Sequence, residues 1–130
     1  MEKKQITDRE DIMLLINSFY DKVKGDDVIG HIFNEIARVN WETHLPVMYD
    51  FWEQLLLNST NYGRNAMAPH FALNQRVPLE PVHFDRWLLL FEGTVTELFT
   101  GERADLAISR ARSIRDIMQF KMQQINHPKL

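Results

Sequence analysis

His44 and His70 are the side chains of this sequence best suited by type to hold a metal. His44 lies in Trp41-Glu-Thr-His-Leu-Pro-Val-Met-Tyr-Asp-Phe-Trp52 and His70 in Asn65-Ala-Met-Ala-Pro-His-Phe-Ala-Leu73, so each imidazole stands among large apolar groups. Two imidazoles in that company, on separate helical segments, suit one flat apolar ligand held between them with a metal at its centre. A histidine in a loop-flanked short helix is more often a surface residue, and His44 alone could be a helix cap, so the surrounding pattern carries the weight. His31, His83 and His127 read as surface residues.

Competing chemistries fall away on composition. The chain has no cysteine, which excludes disulfides, thiolate ligation, zinc fingers, iron–sulfur clusters, cysteine nucleophiles and thioether attachment of a tetrapyrrole. A di-iron carboxylate bundle needs Glu-x-x-His on each of two helices, and Glu80-Pro-Val-His83 supplies one copy with a proline inside it. A net charge of −3 and a pI near 5.9 give no attraction to nucleic acid or to an anionic membrane. The basic stretch from Arg103 to Lys121 is interleaved with Asp105 and Asp116 and reads as a solvated helix face.

With 130 residues and 45% apolar content, the expectation is a single domain over residues 1–130 with one core. No apolar run approaches the ~18 residues needed to span a bilayer, and Met1-Glu-Lys-Lys-Gln lacks the apolar stretch of a secretory signal, so the expectation is a cytoplasmic protein.

The elements that must position the histidines are helical. Thr7-Asp-Arg-Glu10 reads as a capping box, and Ile12, Leu15, Ile16, Phe19, Tyr20 and Val23 follow on one stripe. Gly25-Asp26-Asp27 ends this helix, and a shorter one follows with Val28, Ile29, Ile32, Phe33 and Ile36 buried. Pro46 fits best in a first turn, which predicts a third helix from near His44 to about Leu57, with His44 at its mouth. In that helix His44, Met48 and Trp52 lie on one line at four-residue spacing. Residues 58–65 are polar and turn-forming, and a short helix over 66–74 carries His70. Two long helices close the chain. The first, about 81–99, is apolar on most sides through Trp87, Leu88, Leu89, Leu90, Phe91 and Val95. The second, about 103–125, points Ala107, Ala111, Ile114, Ile117, Met118, Met122 and Ile125 inward. There is no strand and no repeat, so the fold class is all-α.

Phe19-Tyr20, Gly30-His-Ile-Phe33, Trp41-x-x-His44-Leu with Met48 and Phe51-Trp52, His70 and Phe84-Asp-Arg-Trp-Leu-Leu-Leu-Phe91 occur in an order and spacing that resembles the group III truncated hemoglobins over nearly the whole chain. The paired-glycine motifs of the group I and II truncated globins are absent, in agreement with that group. The resemblance implies a shortened globin fold, its helices packed two over two, with a non-covalently bound b-type haem.

Carried over position by position, the resemblance makes His70 the proximal iron ligand, its other ring N–H held by a backbone carbonyl. Tyr20, Trp87 and His44 match the polar distal positions, and Met48, Trp52, Phe19 and Phe33 the apolar wall. A phenol O–H and an indole N–H facing a polarised diatomic ligand slow its release. The implied partners are dioxygen or another small haem ligand such as nitric oxide, carbon monoxide, cyanide or peroxide, together with an unidentified reductant. Oxygen binding and transport are expected to outrank peroxidase-like or nitric-oxide-detoxifying chemistry, because a peroxidase needs a strong distal acid–base pair. The protein is expected as a monomer or weak dimer, and Arg64 and Arg76 are the candidates for the haem propionates. The competing reading is a haem-free globin-like regulatory or partner-binding domain, which would not need His70, Tyr20 and Trp87 together.

Overall fold

The computed structural model describes residues 3–38, 40–57, 74 and 78–127. Its described elements are α1 (Arg9–Lys24), a π-helical turn (Ile32–Ile36), α2 (Trp41–Leu57), α3 (Pro81–Leu98) and α4 (Glu102–Asn126). The loop expected over 58–65 and the helix over 66–74, with His70, Arg64 and Arg76, lie outside the described residues apart from Asn74.

Helix α1 is capped one residue later than Thr7-x-x-Glu10 suggests. Asp8 is the N-cap and accepts from the Asp11 backbone N–H at 3.1 Å, while Thr7 donates through its backbone N–H and its hydroxyl to the Asp11 carboxylate at 2.9 and 3.0 Å. The shift has an electrostatic reason: Lys4 adds an ion pair to Asp11 at 2.9 Å, which Glu10 does not receive. Burial works to raise the Asp11 pKa, but the Lys4 and Thr7 hydrogen bonds win and hold it below the usual carboxylate value. The six stripe residues from Ile12 to Val23 are buried as their spacing requires.

Gly25 ends α1, and the chain turns back sharply. A Cβ on Gly30 would stand 3.0 Å from the carbonyl oxygens of both Val23 and Lys24, so only glycine lets this segment close against the end of α1. Ile29 and Ile32 are buried here, while Val28, Phe33 and Ile36 are half-covered.

Helix α2 begins at Trp41, three residues before the start that Pro46 suggests. Asn40 is the reason: its side-chain oxygen accepts from Glu42 N–H at 3.1 Å, and its carbonyl accepts from Thr43 and His44 N–H. His44 therefore sits inside the first turn rather than at the mouth, and Pro46 costs one hydrogen bond to a carbonyl close to the helix end. Tyr49 bonds to Asn17, and Arg9 bridges Asp50 and Glu53, which together fasten α2 to α1.

Helices α3 and α4 form the second layer. On α4, Ala104, Ala107 and Ala111 are buried small residues, and Met118 and Met122 continue the buried face. Three expectations fail in this layer. Leu89 is 59% exposed, Ile117 53% and Ile125 52%. Leu89 falls on the α3 face turned away from the other helices, Ile117 lines an open cavity together with its neighbour Met118, and Ile125 lies in the last turn of a helix seven residues longer than α3. The α1–α2 layer rests on the α3–α4 layer over a shared core centred on Phe19, Phe91, Leu15 and Val95.

Candidate functional site

The end of the bundle near the starts of α2 and α3 holds a cavity of about 360 Å³. Each described element gives it side chains at its own period. Helix α1 gives Tyr20, the segment after it gives Ile29, the π-helical turn gives Ile32 and Phe33, and α2 gives His44, Met48, Phe51 and Trp52. The four-residue line His44, Met48, Trp52 thus faces the cavity as its spacing implied. Helix α3 adds His83, Phe84 and Trp87, and α4 adds Ile114, Arg115, Ile117 and Met118.

Two of the polar lining groups, Tyr20 and His44, are neighbours. The Tyr20 ring lies 5.4 Å from His44 edge-on and 5.1 Å from Trp41, and the Trp41 and His44 rings are 5.6 Å apart. Lys24 stands 4.6 Å from the Trp41 ring centre and covers this cluster from outside. Tyr20 is 6% exposed, and burial pushes its phenol well above its ordinary pKa, so it remains a protonated donor. Trp87 is stacked on Phe91 at 5.6 Å and meets Phe19 edge-on at 5.8 Å, which fixes the plane of its indole.

Among the expected wall residues, Met48, Trp52 and Phe33 line the cavity, and Phe19 does not. Phe19 is wholly buried one layer behind, packed against Tyr20, Trp87 and Phe91, and so backs the wall. His83 is a correction in the other direction. Expected on the surface, it is half-buried and lines the cavity, and its Nδ1 accepts the Glu80 backbone N–H at 3.0 Å. The Glu80-x-x-His83 spacing is thus a helix-capping arrangement, and no cluster of metal-binding side chains occurs among the described residues. The missed signal was periodic, since His83 is one turn before Trp87 on the same face. His31 and His127 are exposed, as expected.

Helices stacked in two pairs around an apolar cavity near one end define the truncated globin fold. The crystal structure of group III truncated hemoglobin from Campylobacter jejuni matches with a TM-score of 0.79 and 27% identity, covering 93% of this chain and 95% of that one. The curated group 3 truncated hemoglobin ctb of Campylobacter jejuni is 28% identical over 120 residues, 90% of this chain and 92% of the relative. No family model matches the chain. Among the described residues no helix is long and apolar enough to cross a membrane.

Proposed function

We propose that this chain is a group III truncated hemoglobin whose cavity holds b-type haem and that it binds dioxygen or another small ligand reversibly. One observation carries the reading: Tyr20, His44 and Trp87, from three different helices, line one cavity whose other walls are largely aromatic and aliphatic. A cavity of about 360 Å³ with that lining fits a planar apolar ring, since such sites span roughly 300–1,000 Å³ and carry few polar groups. The relatives, both named as truncated hemoglobins, support the same cofactor.

Bound haem supplies an iron with a coordination position open to small gaseous ligands. Tyr20 and Trp87 donate hydrogen bonds on the ligand side, Tyr20 as a phenol kept neutral by burial and Trp87 as an obligate donor. His44 packs against the Tyr20 ring and holds its direction. Met48, Phe51 and Trp52 exclude water from the α2 side. By the family resemblance, His70, which lies outside the described residues, would supply the imidazole that holds the iron.

The test is a haem titration of the purified chain followed by absorption. Wild type should develop a Soret band at one equivalent, and His70→Ala should lose tight binding. Uptake of haem by neither protein would point to the haem-free regulatory reading, whereas a normal haem spectrum in His70→Ala would place the iron ligand elsewhere.

A further inference from the structure

His83 stands at the third position of α3, lines the cavity and is half-buried. Its Nδ1 accepts from the Glu80 N–H at 3.0 Å, which forms the reciprocal arm of the box that opens the helix. A neutral imidazole whose Nδ1 is an acceptor carries its proton on Nε2, so the helix cap selects one tautomer of this ring. Burial, reinforced by nearby His31 and opposed by Glu80, keeps the ring below the ordinary histidine pKa, which favours the neutral form.

The cap also limits what the ring can do. Binding a metal through Nε2 would require the proton to move to Nδ1, where it would face the Glu80 N–H. His83 is therefore a hydrogen-bond donor toward the cavity. It lies one turn before Trp87 on α3, toward the helix start, and Arg115 of α4 also lines the cavity. Arg115 directs Nε to Asp116 at 2.6 Å and Nη1 to Asp85 at 2.8 Å, so much of its guanidinium is already engaged. Around the rim of a haem the hydrogen-bond acceptors are its two carboxylates.

On the haem reading given above, we propose that His83 Nε2–H donates to a carboxylate at the edge of the bound tetrapyrrole and so sets the direction in which the ring is seated. His83 is then a binding residue for the anionic edge, separate from the iron and from the Tyr20–Trp87 side.

Two substitutions divide the ring's two jobs. His83→Asn keeps an acceptor where Nδ1 was and removes the Nε2 donor, while His83→Lys keeps a donor that can reach the cavity and offers no acceptor for the cap. Haem loss to excess apomyoglobin and thermal unfolding of the haem-free chain are measured for each. His83→Asn should lose haem roughly tenfold faster with little change in melting temperature. His83→Lys should keep haem nearly as well as wild type and melt lower. With haem whose carboxylates are esterified, wild type and His83→Asn should release it at the same rate. Wild-type haem retention by His83→Asn would overturn this proposal while leaving the haem site intact; failure of wild type to bind haem would remove both. An Nδ1–H tautomer in the ¹⁵N spectrum of the haem-free protein would also overturn it.

Discussion

Tyr20 and Trp87 reach the cavity from different helices, and their rings are oriented by the same neighbour, Phe19. Phenylalanine at either position keeps most of that packing and removes one donor. Tyr20→Phe and Trp87→Phe should each speed release of a small haem ligand by about one to two powers of ten, because each hydrogen bond to a polarised ligand is worth roughly 1.5–3 kcal/mol. Stopped-flow dissociation rates check this, and unchanged rates in both variants would remove the pair from ligand contact. Tyr20, His44, Met48, Trp52 and Trp87 were legible as a set, because spacing put three of them on one line and the family resemblance supplied the other two. Phe19 was not separable from Phe33. Both are large and apolar, and the difference between lining a cavity and backing it is a rotation of about 100° between adjacent helix positions, Phe19 and Tyr20. His83 was hidden by its histidine type, although its position relative to Trp87 was already informative.

Between elements, two polar clamps set the rotation of α3 against α1. Asp26 accepts from Val28 and Ile29 N–H and pairs with Arg86 at 2.7 Å, with its side chain 3% exposed. Two turns further along α3, Lys22 bonds Thr94 at 3.2 Å and Glu97 at 2.7 Å. Arg86 is adjacent to Trp87, so the first clamp bears on where the indole points. The Arg86 and backbone hydrogen bonds hold the Asp26 pKa below the usual carboxylate value despite its burial. A depressed carboxylate contributes stability that is fully present above the unfolded value near 4 and is lost as pH falls through the lower folded value. Asp26→Asn should therefore flatten the acid limb of a stability–pH curve and cost about 2 kcal/mol near neutral pH, read from urea unfolding. The helix boundaries teach a related lesson. Pro46 was the louder signal in the sequence, yet Asn40 decides where α2 begins, because two carbonyl bonds and one side-chain cap outweigh the single bond that proline forgoes.

At the scale of the whole molecule, the all-α class and the four long helices were readable from apolar periodicity together with capping, glycine and proline signals, whereas the exposure of Leu89, Ile117 and Ile125 depended on which helix faces meet. On α4, Ala107 and Ala111 are completely buried, so no space is left beside them for a larger side chain. Ala107→Leu should cost about 1–3 kcal/mol by overpacking, seen as a lower melting temperature of the haem-free protein. The chain also fastens itself at the corner that follows α3. Lys4 pairs with Phe99, its carbonyl accepts from Thr100 N–H at 3.0 Å, and Arg103 donates to the Ile6 carbonyl at 3.1 Å. Gly101 takes a φ of +99°, and the Gln5 side chain stands 3.0 Å from where a Cβ would be. Partners nearly a hundred positions apart come together here, so closing this buckle carries the entropy cost of a long loop. A mechanical load applied ahead of Lys4 would reach the α3–α4 corner first, and the buckle would open before strain arrived at the opposite end of the fold.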